Sequence, residues 1–251
     1  MEALEHKLFT VEIFNRIFGK PVLALLSLLG IEPKHPESPI PDYIVMCIFV
    51  AVFLVVVLSL ASRRLTLVPS RRQTFLELIV QLFEGILTDI IGEPGKKYLP
   101  MIGTIGLFIF SANMLGLVPG FMSPTSKLNV TAGCALAVFV YYHWQGIKSQ
   151  GVLRYLKHFT GPIPALAPLL LPIEIISHFS RPVSLSLRLF GNIFAEELLI
   201  VIIASIVPFV LPLPFMAVAI FTAIIQAFVF VLLACIYIAG AVAHEEEHSS
   251  T

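Results

Sequence analysis

Charged residues are scarce in this sequence of 251 residues. Asp, Glu, Lys and Arg together make up 13% of the chain, whereas hydrophobic residues make up 57%. Soluble domains are about 45–50% apolar and about 25% charged, so this chain has too few polar side chains to cover an ordinary globular surface. The composition argues against a soluble domain and predicts a membrane protein.

An excess of positive charge and a cluster of cysteines are also missing. The 16 Lys and Arg residues balance 16 Asp and Glu residues, and without a basic surface no nucleic-acid partner is expected. The cysteines, Cys47, Cys134 and Cys235, lie far apart in apolar runs, which argues against a disulfide framework or a zinc site and predicts buried thiols. The HEEEH sequence at 244–248 is interpreted as a solvated helix end. Neither a metal nor any other cofactor is expected.

Long stretches without charge predict an all-α, polytopic membrane protein with about five transmembrane helices. A helix of about 20 apolar residues crosses the roughly 30 Å of hydrocarbon, and in lipid the backbone must satisfy its own hydrogen bonds. The predicted spans are about 43–62, 99–119, 129–147, 164–204 and 215–243. The fourth is a long, tilted, polar helix that we expect next to the C-terminal helix.

The remaining segments complete the predicted organisation. Residues 73–91 have polar and apolar faces at helical spacing, which predicts an amphipathic helix in the membrane interface. Residues 1–41 are predicted to be an external or interfacial segment, and residues 42–251 a single membrane domain.

Basic residues in short loops predict the orientation. The loop at 63–72 has four arginines, and the loop at 148–157 has two lysines and one arginine. By the positive-inside rule, the N-terminus should lie outside and the C-terminus in the cytoplasm. The chain begins MEALEH without a basic leader, so a cleaved signal peptide is not expected.

The fourth predicted span contains charges that a lipid-facing helix does not tolerate. Its ionisable residues are Glu174, His178, Arg181, Arg188, Glu196 and Glu197. Each charge at the bilayer centre costs about 2.5–3.5 kcal/mol, so these groups should face water, a partner or one another. At about 100° per residue they form a polar stripe centred on Arg188, which Ser177, Ser184 and Asn192 extend, while Glu197 lies roughly 180° away.

Structural roles also explain several of these residues. A polar stripe can join neighbouring helices, Arg181 beside Pro182 can extend to the interface, and His178 can be a satisfied core histidine. Pro182 predicts a kink, and a helix of this length must either break or tilt steeply. Arg188 lies far from both basic loops and stays protonated even when desolvated, so we expect a fixed charge that faces a titrating group. Gln226 can approach the level of Arg188 if the last helix packs antiparallel to the fourth predicted span.

Two strings carry a resemblance to a known family. RPVSLSLRLFGNIFAEELL at 181–199 and IIQAFVFVLLACIYI at 224–238 closely resemble subunit a of rotary F-type ATP synthases, and NMLGLVPG at 113–120 extends the match. The resemblance implies a stator subunit in the bacterial plasma (inner) membrane. It implies as partners a ring of c subunits, the b-subunit peripheral stalk, the remaining ATP synthase subunits, the lipid bilayer and protons. Two offset aqueous half-channels would load and unload protons on the ring carboxylates.

The resemblance also implies roles for individual residues. Arg188 matches the essential arginine that separates the half-channels, and Asn192 and Gln226 match neighbouring amides. Glu197 matches the half-channel acid, and Glu174 matches an acid near the start of the helix. The small polar residues that line the channel in this family match Ser177, Ser180 and Ser184. We further expect His178 to lie on the proton pathway.

The sequence departs from the family pattern at one position. Some members carry a histidine on the last helix that pairs with the channel acid, whereas this chain has Ala219 there and an additional acid, Glu196, beside Glu197. Glu196 is therefore a candidate substitute in the proton relay. No nucleotide-binding motif is present, so ATP chemistry is expected on other subunits. The alternative function is a stand-alone ion channel or secondary transporter, although an internal repeat typical of many transporters is missing.

Overall fold

A computed structural model describes most of the chain. The described residues are 11–12, 14–16, 19, 21, 23, 39–63, 66, 70–118, 121–152, 155, 167–207 and 210–242. Predictions about the HEEEH tail, most of residues 1–41 and the basic residues Arg64, Arg154 and Lys157 lie outside these ranges.

Regular structure in the described ranges is helical. The α-helices are α1 (Asp42–Ser62), α2 (Arg71–Ile91), α3 (Leu99–Leu115), α4 (Leu128–Gln150), α5 (Ala167–Ile206) and α6 (Pro212–Val242). Short 3₁₀ helices at Glu93–Tyr98 and Pro124–Ser126 precede α3 and α4. The predicted all-α fold is confirmed.

Four helical segments of the described chain are long and apolar enough to cross a membrane. They are Asp42–Ser62, Glu93–Leu115, Leu170–Ile206 and Pro212–Val242. The remaining predicted span, 129–147, corresponds to α4, whose 23 residues would extend about 35 Å. This helix is less apolar than the other four because it carries polar side chains such as Tyr142 and His143.

The predicted amphipathic helix is α2, which begins at Arg71 rather than at residue 73. The hydroxyl of Ser70 caps its first turn by accepting a hydrogen bond from the Gln73 N–H, as is typical of an N-cap serine. It ends at Ile91, and the N–H of the following Gly92 donates to the Thr88 carbonyl. The φ of 90° at Gly92, which glycine adopts without strain, then turns the chain away from the helix. Its position in the membrane interface remains a prediction.

The long polar helix α5 runs without interruption through Pro172 and Pro182. Its 40 residues extend about 60 Å, twice the thickness of the hydrocarbon core. A helix of this length was expected either to break or to tilt steeply, and the continuous α5 excludes the break. Prolines are tolerated in membrane helices because neighbouring groups can satisfy the freed backbone carbonyls.

Helices α3 to α6 form the main core, and α6 lies at its centre. Its buried apolar side chains include Phe230, Val231 and Ile238. Gly106 of α3 allows α6 to approach closely, since a Cβ there would lie 2.7 Å from Val231 Cγ2. At the far end of α6 the Gln150 amide at the end of α4 donates to the Ala241 carbonyl over 2.9 Å. This core holds α5 in place against α4 and α6.

Candidate functional site

Arg188 lies on an exposed face of α5. Ser184 and Asn192, one turn away on either side, are exposed on the same face. In the described ranges, no acidic side chain lies within 4.0 Å of the guanidinium. Because an arginine stays charged even when desolvated, this surface presents a permanent cation outward from the chain.

One turn along α5, the two predicted amides meet. The Asn192 Nδ2 donates a hydrogen bond to the Gln226 Oε1 of α6 over 2.8 Å. Asn192 is exposed, whereas Gln226 is only 4% exposed. The next turn also approaches α6, because the Glu196 carboxyl lies near the hydroxyl of Thr222, which donates to the Val218 carbonyl of its own helix. These two contacts show that α6 runs antiparallel to α5, which is the arrangement that brings Gln226 to the level of the arginine.

Glu197 is half-buried on the opposite side of α5. It packs against the segment that connects α3 to α4, near Ser123 and Ser126, whose hydroxyl donates to the Ser123 carbonyl over 2.8 Å. Lys127, at the start of α4, interacts with it electrostatically. Glu197 therefore lies on the side of α5 away from Arg188, as the helical spacing predicted.

A buried network fixes that connecting segment. The Thr125 hydroxyl donates to Asn113 Oδ1 over 2.6 Å and lies 2.7 Å from the Ser123 hydroxyl. The Asn113 amide in turn donates to the Ala223 carbonyl of α6 over 3.5 Å. All three side chains are 3% exposed or less. Sequence reasoning missed these residues, and the only signal was the NMLGLVPG string that begins with Asn113.

The two acids Glu196 and Glu197 line one small cavity between α3, α5 and α6. Other lining residues are Asn113, Gly116, Leu117, Ser123, Ile193, Ile200, Ala219 and Ala223. The water-accessible volume of about 20 Å³ is enough for about one water molecule. Ala219 is thus brought to the same cavity as both acids, although it lies on a different helix.

Glu174, the remaining predicted acid, belongs to a second cluster, at the end of α5 away from Glu197. The Glu174 Oε1 lies 3.2 Å from the Nε2 of His178, and the Nδ1 of His178 lies 3.2 Å from the Tyr142 hydroxyl of α4. His178 is buried, as the structural interpretation expected, yet it also contacts an acid. The Arg181 guanidinium lies over the Tyr237 ring, 5.4 Å from its centre.

The predicted serines are dispersed along α5. The Ser180 hydroxyl donates to the Ser177 carbonyl over 2.8 Å, which is the local backbone contact that serine often makes inside a helix. Ser184 is exposed and Ser177 is half-buried. None of the three lines the cavity at Glu197.

Arg188 separates the two acidic clusters along one rigid helix. At 1.5 Å per residue, Glu174 lies about 21 Å before it and Glu197 about 14 Å after it. Carboxyl and imidazole groups can bind and release protons, whereas the guanidinium cannot. The arrangement therefore places a proton-exchanging group on each side of a fixed positive charge.

Comparisons with known proteins relate the chain to one family. Residues 44–239 match the model of the family described as ATP synthase A chain. The chain is 46% identical to ATP synthase subunit a of Geobacter sulfurreducens over 218 residues, which cover 87% of this chain and 94% of that protein. It is 45% identical to ATP synthase subunit a of Campylobacter fetus over 209 residues, 82% of this chain and 92% of that protein.

A third relative covers almost the whole sequence. The chain is 40% identical to ATP synthase subunit a 1 of Pelobacter propionicus over 243 residues, 97% of this chain and 99% of that protein. The resemblance inferred from the arginine-centred string is confirmed. Together with its four apolar helices, these matches show that the chain belongs to the ATP synthase A chain family, as a multi-pass subunit of the proton-translocating membrane sector.

Proposed function

We propose that this chain is the stator of a rotary membrane sector, in which Arg188 separates two offset aqueous half-channels. The half-channels load and unload protons on the carboxylates of a ring of c subunits. The observation that carries the proposal is Arg188 itself, which is exposed on the surface of α5 and has no acidic partner in the described ranges. Its counter-ion is therefore supplied by another polypeptide.

The physical chemistry of a membrane motor suits this cation. A ring carboxylate that faces lipid must be neutral, because a bare anion in hydrocarbon is prohibitively costly. When it reaches Arg188, the opposite charge favours its ionised form and the proton leaves into one half-channel. Beyond the arginine it takes up a proton from the other half-channel and returns to lipid. Arg188 also blocks a direct leak, because a proton passing between the half-channels would approach a fixed cation.

The two clusters on α5 support the assignment of one half-channel to each end. Glu197 and Glu196 line the cavity next to Asn113 and form the first half-channel. Glu196 substitutes for the histidine that other members carry at the position of Ala219. Glu174 and His178 belong to the second half-channel, with Ser177, Ser180 and Ser184 along the route to the arginine.

The remaining parts of the proposal concern orientation and partners. The basic loops after α1 and α4 favour an external N-terminus and a cytoplasmic C-terminus, so that Glu197 faces the external half-channel. The b-subunit stalk holds the chain against rotation. A proton that moves down a difference of about 200 mV releases about 4.6 kcal/mol, which drives the ring.

Replacing the arginine tests this function directly. Complexes that contain Arg188→Ala are reconstituted in vesicles, and ATP synthesis driven by an imposed proton gradient is measured. Synthesis should fall to background, because a ring carboxylate no longer meets a cation that releases its proton. Arg72→Ala is the matched control, since Arg72 is an exposed arginine on α2, and it should synthesise ATP normally.

Two outcomes would contradict the proposal. Normal ATP synthesis in Arg188→Ala complexes would remove the arginine from the mechanism. Proton conduction by the purified chain alone in liposomes would favour a stand-alone channel or transporter, because a stator needs its ring to conduct.

A further inference from the structure

Helix α4 contributes an imidazole to the cluster at the Glu174 end of α5. The Nδ1 of His143 lies 2.6 Å from the Tyr155 hydroxyl, and its ring centre lies 5.2 Å from that of His178. Its ring also stacks on that of Tyr142 at 4.3 Å. Two histidines, one on α4 and one on α5, therefore share a single buried cluster.

A continuous chain of polar atoms leads away from Glu174. Its carboxylate contacts the Nε2 of His178, and the Nδ1 of the same ring contacts the Tyr142 hydroxyl, both at 3.2 Å. An imidazole with a partner on each nitrogen can take up a proton on one side and release a proton on the other. The chain thus reaches α4, where the ring of His143 stacks on that of Tyr142.

The second nitrogen of His143 is a buried polar atom that lacks a hydrogen-bond partner among the described residues. This atom is Nε2. Buried polar atoms are nearly always hydrogen-bonded in native proteins, so an exception needs an explanation. A transient proton acceptor is one such explanation, because the atom must be free when the proton arrives.

The charges around His143 restrict the cluster to few protons. The other titratable and charged groups of the cluster are Tyr142 of α4, Glu174, His178 and Arg181 of α5, Tyr237 of α6, and Tyr155. Arg181 is permanently charged and Glu174 supplies the single carboxylate of this set. Two protonated imidazoles next to a guanidinium would repel one another in a partly buried site. A proton that binds one histidine therefore disfavours protonation of the other.

We propose that His143 is a proton-transfer residue of the half-channel at the Glu174 end, which exchanges a proton with His178. This inference rests on the proposed function and adds a second helix to its path. A protonated His143 gives its proton to the pair formed by Tyr142 and His178. His178 gains a proton at Nδ1 while its Nε2 releases one to the Glu174 carboxylate. One proton moves, only N–H and O–H bonds change, and flow in the other direction reverses each transfer.

The test uses intact complexes in vesicles and the variant His143→Gln. Glutamine keeps a hydrogen bond to Tyr155 but cannot titrate. Proton flux through the complex is measured as a function of pH. We expect flux to fall roughly tenfold or more, since a positioned proton-transfer group contributes on the order of 100-fold. The titration step in the pH profile should disappear. The exposed neighbour Trp144 provides the control Trp144→Phe, which should keep both the flux and the profile.

Tyr155→Phe separates a proton-transfer role from a structural role. It removes the hydrogen bond to His143 that His143→Gln keeps, and it leaves the imidazole in place. If His143 transfers protons, Tyr155→Phe keeps the titration step that His143→Gln loses. If His143 only anchors Tyr155, His143→Gln shows normal flux and only Tyr155→Phe lowers it, which would overturn the inference.

A second variant covers the case in which His143→Gln does not assemble. Tyr142→Phe changes only one hydroxyl and should lower flux by a similar roughly tenfold factor, and normal flux would overturn the inference. Arg188→Ala, measured in the same vesicles, distinguishes the two proposals. Normal synthesis with Arg188→Ala rejects the stator function itself. Abolished synthesis there, with normal flux in His143→Gln, rejects only the role of His143.

Discussion

Replacing the two acids of the cavity, Glu196 and Glu197, tests whether they share one proton relay. They line the same small space, which holds about one water molecule, yet they have separate partners. Glu196 reaches Thr222 on α6, whereas Glu197 reaches Ser126 in the connecting segment. Either carboxyl can therefore keep its position when the other is changed to glutamine.

The structure sets the expected magnitudes. If the acids substitute for each other, each single change to glutamine should slow proton flux only about threefold, or about 0.7 kcal/mol in the barrier. The double variant has no titrating group at the cavity, and loss of a positioned proton-transfer group costs on the order of 100-fold, or about 2.7 kcal/mol. The double variant should thus lose about 1.3 kcal/mol more than the two single variants together, within the range of coupling between neighbouring residues.

ATP-driven proton pumping and passive proton flux are measured in vesicles that contain equal amounts of assembled complex. Glu93→Gln serves as the control, because Glu93 is an exposed acid that forms a surface ion pair with Lys96 at 2.8 Å, and surface ion pairs contribute little. Unchanged flux in the double variant would place the half-channel elsewhere. If the fold-loss of flux in the double variant equals the product of the two single losses, the two acids act as independent steps.

Two further predictions concern the packing that positions the site. Asn192→Leu leaves the buried Gln226 amide without its partner and should lower stability by about 1–3 kcal/mol. Gln226→Leu should cost less, because the Asn192 side chain is exposed and can bind other groups outside the chain. Thermal unfolding of the purified complexes measures both costs, and equal costs would contradict this asymmetry. Gly106→Ala places a Cβ 2.7 Å from Val231 and should lower stability by about 1–3 kcal/mol, while Gly133→Ala, which meets nothing within 4 Å, should not. Equal amounts of assembled complex from both glycine variants would refute the close α3–α6 packing.

The functional interest of the polar residues of α5 could be predicted from the sequence, because charged side chains are rare and costly in a membrane span. A charged side chain in an apolar run needs a reason, and helical periodicity then assigns it to a face. Arg188 and Asn192 are both exposed on α5, and Glu197 is half-buried on the other side. The contact between Asn192 and Gln226 followed once the two helices were taken as antiparallel neighbours.

Residues outside α5 were harder to predict, because their importance depends on which helices pack together. Ser123 and Thr125 are ordinary turn residues in sequence, and only their contacts with Asn113 relate them to the cavity at Glu197. His143 lies in a predicted span without a charged neighbour, so its proximity to His178 required the packing of α4 on α5. Periodicity along one helix carries no information about the register between two helices.

The spacing of charges along α5 explains why a separate polypeptide is needed in the proposed mechanism. Glu174 and Glu197 are about 21 Å and about 14 Å from Arg188 along the helix axis, too far for direct ion pairs. If either acid neutralised the arginine, that acid could not exchange protons and the arginine could not attract a passing carboxylate. A guanidinium without an acidic partner among the described residues is costly at bilayer depth. In the proposed mechanism this cost is relieved only while a carboxylate of a c subunit lies opposite. The free energy of that pairing is thereby coupled to the position of the ring.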